Sequence, residues 1–281
     1  MERFHDFVTG YLGLLQEAKN IPLGQYVSAW PELPPDAPVA VILSAHPDDE
    51  VMTGMPLGIR LRRAGYRIVN IAVTVGSPDQ YERRLQELQG ACTYLGIQLV
   101  VPLIGGLRGQ IKSNCPQDWQ YAVDEITNII KPLRPKVVIT HHEGDAHHDH
   151  IAVSKLTHQV LLKELPALDC VLACGEYWRD LQRPNLQLEV SAGDLAILLE
   201  GLSFHKGELA RNPYHLLWPA FMSTKVRYGE IVKGWGTGAP SFDFSVMYRL
   251  KRSHDGALYD YLSPTQLGAD QPIELILPRA N

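Results

Sequence analysis

Residues 39–50 read Val-Ala-Val-Ile-Leu-Ser-Ala-His-Pro-Asp-Asp-Glu, an apolar run that passes directly into a cluster of polar side chains. An apolar run without polar alternation predicts a strand buried on both faces, which is typical of parallel strands in α/β sheets. In open α/β folds, ligands bind just outside the carboxyl ends of the strands, where the strand order reverses. We therefore expect His46 and the acidic residues after it to lie at a binding edge of the sheet.

A second polar cluster follows another predicted strand later in the chain. Residues 136–140 form a short run rich in β-branched residues, and a loop ending in His-His-Asp-His at 147–150 leads from it into an amphipathic stretch at 151–162. The carboxyl ends of parallel strands share one edge of a sheet. We therefore expect the two clusters to supply His and Asp side chains to one site.

The rest of the chain alternates strand and helix patterns, which favours a parallel, right-handed, doubly wound sheet. The sequence thus predicts a Rossmann-like three-layer α/β fold with a mostly parallel sheet and a C-terminal elaboration. Residues 1–38 form a helical leader and a Pro-rich connector, and we expect the leader to pack on the outside of the sheet. We expect residues 39–281 to form a single domain, with a catalytic core at about 39–175 and the elaboration at about 176–281.

Particular elements are predicted from periodicity and turn signals. Gly96 is expected to cap the helix before it, because glycine readily adopts the left-handed conformation found at helix ends. The remaining predictions include strands at 67–74, 98–103, 168–173 and 244–251, helices at 54–63, 81–95, 119–130 and 193–210, and a mobile Gly-rich loop at 229–238.

Composition limits the partners and the location of the protein. The 281-residue chain is 45% hydrophobic, enough for a sizeable core, and carries a formal net charge of −5. Charges of both signs are interspersed without a basic stripe, so we expect a small-molecule partner and no nucleic acid. No segment approaches the ~18 apolar residues of a membrane span, and the first residues do not resemble a secretory signal peptide. We therefore expect a cytoplasmic protein without stable membrane insertion. The sequence leaves a homo-oligomer open.

Three of the clustered side chains match the ligand count of a catalytic zinc site. Such a site typically has three His or carboxylate ligands and keeps one position open. His46, Asp49 and His150 fit this count. Two neutral imidazoles and one carboxylate leave the site with a net positive charge, which gives it the Lewis acidity to activate water and polarise a carbonyl.

The remaining polar residues of the clusters suit proton transfer and charge stabilisation. Asp48 is next to a proposed ligand and is the candidate general base. His147, three residues before His150, is the candidate for stabilising an oxyanion or protonating a leaving amine. Asp149 is expected to orient His147 and raise its pKa. We interpret His141 and His142 as loop histidines, and the aromatic residues of the C-terminal half as core.

Residues 45–50 and 144–150 together resemble the two signature motifs of the LmbE/PIG-L family of zinc-dependent de-N-acetylases. The resemblance extends over about residues 39–165 and implies a zinc-dependent hydrolase that removes acetyl from an N-acetylglucosamine-type substrate. Residues 84–87 also resemble an R-x-x-E helix of the family, from which Arg84 can reach the substrate. The family pattern implies zinc ligands at His46, Asp49 and His150, the base at Asp48, and the electrostatic or acid partner at His147 with Asp149 beside it.

The sequence also departs from the family pattern. Residues 76–79 replace the commoner Gly-Glu-x-Gly loop, His148 stands where many relatives carry proline, and little beyond residue 175 aligns with the better-known sugar deacetylases. These differences leave the substrate open.

Other functions remain as alternatives. A zinc amidase acting on a different N-acyl sugar conjugate or a non-sugar amide would use the same groups. Two histidines and a carboxylate also describe non-haem iron(II) enzymes, and the ligand set tolerates iron(II) as well as zinc. Those oxygenases generally place H-x-D on a β-barrel, whereas this chain has H-x-x-D on alternating strands and helices. A metal-stabilised module without catalysis is disfavoured, because Asp48 is present.

Overall fold

The computed structural model describes residues 2–17, 19, 24, 27, 30–102 and 115–278. Within these residues, nine strands join into one sheet. The strands are β1 (Val39–Ser44), β2 (Arg67–Ala72), β3 (Ile97–Val100), β4 (Val137–His141), β5 (Cys170–Gly175), β6 (Leu186–Glu189), β7 (Ser245–His254), β8 (Ala257–Tyr259) and β9 (Thr265–Leu267). The α-helices are α1 (Glu2–Glu17), α2 (Met55–Arg63), α3 (Tyr81–Leu95), α4 (Pro116–Leu133), α5 (His148–Gln159), α6 (Ala192–Leu202), α7 (Lys206–Arg211), α8 (Tyr214–Arg227) and α9 (Gly229–Lys233).

The strand order is β3-β2-β1-β4-β5-β7-β6-β9, with β8 paired to β7. The first five strands of this order are mutually parallel, and β7 runs antiparallel to both β5 and β6. The chain moves outward from β1 through β2 to β3 and then returns to β4 on the other side of β1. The strand order therefore reverses between β1 and β4, which is where open α/β sheets form their ligand-binding crevice.

Strand β1 is buried on both faces, as its sequence predicts. Ala40 and Ile42 belong to the core on one face, which α2, α3 and α6 cover, whereas Val41 and Leu43 belong to the core on the other face, which α4 and α5 cover. Helices thus lie on both sides of a mostly parallel sheet. The predicted three-layer α/β fold is confirmed.

Several predicted elements have different bounds in the structure. The helix expected at 193–210 is interrupted between α6 and α7, where the Ser203 hydroxyl donates to Glu200 O at 2.6 Å. A serine side chain that bonds to nearby backbone competes with the helical ladder. The loop expected at 229–238 begins as helix α9. Strand β3 ends at Val100, and Leu103, at the end of the predicted strand, lies outside the described residues.

Helix α1 does not pack on the sheet as expected. The side chains of Phe4, Phe7 and Leu14 are 79%, 70% and 66% exposed. Helical periodicity identifies the apolar face of a helix but does not specify what covers that face. Among the described helices, none has the length and apolar content needed to cross a bilayer.

Close packing beneath the sheet edge yields a stability prediction at Gly54, the last residue of the π-helical turn Glu50–Gly54. A Cβ atom at Gly54 would lie 2.7 Å from two side-chain carbons of Ile42 in β1. We expect Gly54→Ala to lower the free energy of unfolding by about 1–3 kcal/mol, because overpacking forces the core to shift. Urea denaturation measures this change.

Gly193 provides the matched control, because a Cβ there meets only the Ser191 hydroxyl at 3.9 Å. The same substitution in helix α6 should leave stability unchanged or raise it by up to ~1 kcal/mol. Equal losses at the two positions would contradict the packing explanation.

Candidate metal centre and active site

The site begins where β1 ends, in a tight loop that turns into the π-helical segment. Asp49 Oδ2 accepts the backbone N–H of His46 at 2.7 Å. The backbone at Asp48 has a φ of 112°. A positive φ is uncommon for residues other than glycine, although Asp and Asn adopt it more readily than most. The loop thus brings two consecutive aspartates to the end of β1, and Asp49 is the buried one.

Asp49 lies between the two histidines predicted as ligands. Its Oδ2 is 3.5 Å from His46 Nδ1 and its Oδ1 is 3.5 Å from His150 Nε2. The other ring nitrogen of each histidine faces a second carboxylate, with Asp149 Oδ2 at 2.9 Å from His46 Nε2 and Asp145 Oδ1 at 3.3 Å from His150 Nδ1. Metal-bound histidines characteristically have such a carboxylate partner, which fixes the ring and its tautomer.

His141, the last residue of β4, also belongs to this cluster. Its ring stacks on His150 with a centroid separation of 3.7 Å, and its Nε2 is 3.2 Å from Asp49 Oδ2. The side chain is fully buried, so our interpretation of His141 as a loop histidine was wrong. His142 matches that interpretation better, because its Nε2 is 3.0 Å from the carbonyl oxygen of Arg179, away from Asp49.

The donor set fits a divalent metal. Within the described residues, two groups of three can each bring ligand atoms within 4.8 Å of one another: His46, His147 and His150, and Asp49, His141 and His150. Several buried polar atoms here meet a charged neighbour without the geometry of a hydrogen bond. His141 Nε2, His150 Nδ1 and Asp149 Oδ1 are three of them, and His141 Nδ1 has no hydrogen-bond partner among the described residues. Unpaired buried polar atoms are costly, and a coordinated cation would compensate the cluster.

His147 caps helix α5 at the edge of the cluster. Its Nδ1 accepts the backbone N–H of Asp149 at 3.2 Å, and its ring meets that of His46 edge-on with centroids 4.7 Å apart. Burial, followed by the positive charge of His46, lowers the pKa of His147 to about 4. The charge of Asp149 raises the pKa of His147 as expected, but burial and the neighbouring histidines outweigh it. The expectation that the Asp149 carboxylate orients His147 is wrong. That carboxylate bonds to His46, and only the backbone of Asp149 meets His147.

Asp48 has the electrostatic surroundings of a base. Burial, and then the charge of Asp49, raises the pKa of Asp48 to about 7. Tyr214 lies close enough that the Asp48 charge, after burial, raises the pKa of its phenol. Tyr177 packs against Tyr214, with ring centroids 6.3 Å apart. Residues of the C-terminal elaboration therefore border the site.

The Arg84 side chain packs against neighbouring residues and does not project into solvent. Its Nη2 donates to the carbonyl oxygen of Pro47 at 3.2 Å and lies 3.5 Å from Glu208 Oε1. The side chain is 14% exposed. A Cβ at Gly76 would lie 2.6 Å from Arg84 Nη1, so the loop before α3 lies directly against the guanidinium. In this structure Arg84 holds the loop that carries Asp48, and its expected contact with substrate stays a prediction.

Asp145 was not assigned a role from the sequence. It is buried and accepts the backbone N–H of His147 at 2.8 Å through Oδ1, and Oδ2 lies 3.3 Å from the backbone nitrogen of Trp178. The signal available was its place five residues before His150 in the second motif. Spacing alone did not distinguish a carboxylate that supports a ligand from one that caps a turn.

Comparisons with known proteins identify relatives of this arrangement. Residues 41–161 match the sequence profile of the PIG-L family, described as GlcNAc-PI de-N-acetylase. A 1D-myo-inositol 2-acetamido-2-deoxy-alpha-D-glucopyranoside deacetylase from Thermobifida fusca is 29% identical over 149 residues, which cover 42% of this chain and 52% of the relative. The enzyme of the same name from Acidothermus cellulolyticus is 30% identical, with 42% and 51% covered. The chain thus spans about half the length of the curated relatives it matches.

Solved structures share the fold over a longer stretch. An N,N'-diacetylchitobiose deacetylase from Pyrococcus horikoshii superimposes with a TM-score of 0.55 and 18% identity, covering 76% of this chain and 84% of that one. A conserved protein from Thermus thermophilus superimposes with a TM-score of 0.55 and 17% identity, covering 76% of this chain and 94% of that one. A 4-carboxy-2-hydroxymuconate hydratase from Pseudomonas putida superimposes with a TM-score of 0.54 and 14% identity, covering 76% of this chain and 95% of that one.

At these identities the solved structures show the fold alone, and the profile match shows a likeness to the PIG-L family within residues 41–161. The profile covers both motifs on which the resemblance was based, from within β1 to just beyond the end of α5. The predicted resemblance is therefore confirmed. Residues 41–161 of this chain are thus the stretch that matches the PIG-L (LmbE) family.

Proposed function

We propose that this protein is a zinc-dependent hydrolase that removes the acetyl group from an N-acetylglucosamine-type substrate, with Asp48 as general base. The observation that carries the proposal is the pair of histidines around Asp49, each with a carboxylate at its second ring nitrogen. The names of the curated relatives support a deacetylase of N-acetylated glucosaminyl compounds.

His46, Asp49 and His150 are the residues proposed to hold the metal. With Nε2 of His46 donating to Asp149, the lone pair of Nδ1 is left for a ligand bond on the side of Asp49. Zinc supplies Lewis acidity, which activates water as a nucleophile and polarises an amide carbonyl. Iron(II) accepts the same ligand types. A related fold neighbour was solved as the zinc-inhibited form of teicoplanin deacetylase, at 12% identity and a TM-score of 0.53.

Asp48 is proposed to move the proton. Asp48 follows the end of β1 next to Asp49 in the chain, and the charge of Asp49 acts on its carboxylate. A carboxylate oxygen there can take a proton from the attacking water and deliver it to the departing amine, which is the usual division of work for a general base that later acts as acid.

His147 is proposed to stabilise the oxyanion as a neutral donor. Because its Nδ1 accepts the backbone N–H of Asp149, the ring carries its proton on Nε2. That N–H can donate to oxygen where negative charge develops, and such a prearranged donor stabilises the transition state. The lowered pKa of His147 agrees with this neutral form.

Aromatic residues beyond the matched region suit a sugar ring. Tyr177 contacts both Trp178 and Tyr214, with ring centroids 5.0 and 6.3 Å away, and Trp178 is about half exposed. Aromatic faces offer a rigid apolar surface with a polar edge. We propose that Tyr177, Trp178 and Tyr214 contact the sugar ring while the acetamide group of the sugar lies at Asp48.

The test is acetate release by zinc-loaded protein across a panel of substrates. The panel contains N-acetylglucosamine, N,N'-diacetylchitobiose and inositol-linked N-acetylglucosamine, each also prepared with a longer acyl group. Acetate release from a member of the panel is the expected result. Release only of the longer acyl group would replace acetyl with another N-acyl substrate. No release of either from any member would refute the proposal, and addition of water to a muconate would favour the hydratase chemistry of the fold neighbour.

The base assignment predicts that Asp48→Asn lowers kcat ~10²–10⁴-fold while zinc stays bound. Asparagine tolerates a positive φ and matches the shape of aspartate, so the loop should keep its conformation. Steady-state kinetics and zinc analysis measure the two effects. Asp255→Asn is the matched control, because Asp255 also has a positive φ, 47°, at the hairpin between β7 and β8 on the opposite edge of the sheet. An Asp48→Asn enzyme with wild-type kcat would refute the assignment.

The ligand assignment predicts that His46→Ala and His150→Ala each lose stoichiometric zinc, because each removes one of only three protein ligands. Zinc content after dialysis is the measurement, and His254→Ala at an exposed position is the control. His141→Ala distinguishes the two groups of donors. Loss of zinc in His141→Ala combined with retention in His46→Ala would replace the proposed set by Asp49, His141 and His150.

A further inference from the structure

A buried carboxylate and a buried histidine lie behind the loop that carries Asp48. Glu50 Oε1 is 2.6 Å from Nε2 of His205, and Glu50 Oε2 accepts the backbone N–H of Asp48 at 2.9 Å. The side chains of Glu50 and His205 are fully buried. A single carboxylate therefore links a residue of the C-terminal elaboration to the backbone of the proposed base.

The backbone of Asp48 needs such support, because its φ of 112° is unfavourable for a residue with a Cβ. Strained conformations persist only where the surroundings hold them. The carbonyl oxygen of Asp48 accepts the N–H groups of Val51 and Met52 at 3.0 and 2.9 Å. Glu50 supplies the corresponding bond on the N–H side. Both polar groups of the Asp48 backbone are thus fixed.

Residues 205–208 also contact helix α3, which lies against the loop that carries Asp48, at two further points. The backbone N–H of Gly207 donates to Glu87 in helix α3 at 3.0 Å. Glu208 lies 3.5 Å from Arg84, which donates to the carbonyl oxygen of Pro47. These four residues lie outside the stretch that matches the family profile. The break between helices α6 and α7 brings His205 to this position.

We propose that His205 is a positioning residue that, through Glu50, holds Asp48 in the conformation that aims its carboxylate at the substrate. The inference rests on the proposed function, in which Asp48 is the base. Among the described residues, the hydrogen-bond and ion-pair partner of the His205 ring is Glu50. Its Nδ1 is buried and has no hydrogen-bond partner among the described residues, so one donor, Nε2, carries the interaction.

The test compares two replacements of His205. Glutamine places an amide donor where Nε2 lies, whereas methionine fills similar space without a donor. We expect His205→Met to lower kcat about 10²-fold, because misplacement of a catalytic group by about 1 Å has an effect of this size. KM and zinc content should stay near the wild-type values. His205→Gln should restore most of the kcat that is lost in His205→Met.

In His205→Met the Glu50 carboxylate is buried without its partner, which destabilises the folded protein. A second variant without this buried charge keeps the proposal testable if His205→Met does not fold. The double variant His205→Met with Glu50→Gln removes both the donor and the charge, and it should show the same selective loss of kcat. Wild-type kcat in a folded variant without the donor would overturn the proposal. A raised KM at unchanged kcat, or a loss of zinc, would also overturn it.

A crystal structure of His205→Met separates this inference from the proposed function. If the wild-type protein releases no acyl group from any substrate, the proposed function fails, but the φ of Asp48 can still be compared. Loss of the positive φ in the variant would support the positioning role. An unchanged φ and loop would overturn it.

Discussion

The buried carboxylate of Asp49 is the constraint around which the site is built. A carboxylate removed from water needs positive charge or several hydrogen-bond donors nearby, because an isolated buried charge is very costly. Here the backbone N–H of His46 donates to it at 2.7 Å, and the imidazoles of His46, His141 and His150 lie within 3.5 Å. Even against the cost of burial, the histidines lower the pKa of Asp49 well below its usual value. The cluster therefore favours a cation, and Asp145 and Asp149 add further negative charge at its rim.

The fold makes this concentration of polar groups possible. Strands β1 and β4 are adjacent and parallel, so the loops that follow them emerge side by side where the strand order reverses. The cores on the two faces of the sheet hold both strands firmly. The histidines of the second motif then lie at the start of helix α5, where the backbone N–H of Asp149 fixes the ring of His147. Rigid elements thus define the positions of side chains that belong to two irregular loops.

Local sequence patterns predicted much of this arrangement. The run at 39–43 became β1, and Gly96 caps helix α3 with a φ of 65°. The two polar motifs meet at Asp49, whose carboxylate lies 3.5 Å from a ring nitrogen of His46 and of His150. That His46, Asp49 and His150 together hold one ion stays a prediction. The parts that were missed depend on contacts between distant residues. Whether His141 turns toward Asp49, or which carboxylate faces which histidine, follows from loop geometry that spacing does not encode. The contact between Glu50 and His205 joins positions 155 residues apart, and no local signal marks it.

The left-handed backbone at Asp48 restricts what evolution can place there, independently of catalysis. Glycine fits this conformation freely, and Asn and Asp tolerate it, but a longer or branched side chain is strained. Glutamate, the obvious chemical substitute for an aspartate base, would incur that strain and also move the carboxylate outward by one carbon. Of the two acidic amino acids, aspartate and glutamate, only aspartate combines a carboxylate with tolerance of a positive φ. The identity of the residue is therefore selected twice, once by the chain and once by the reaction.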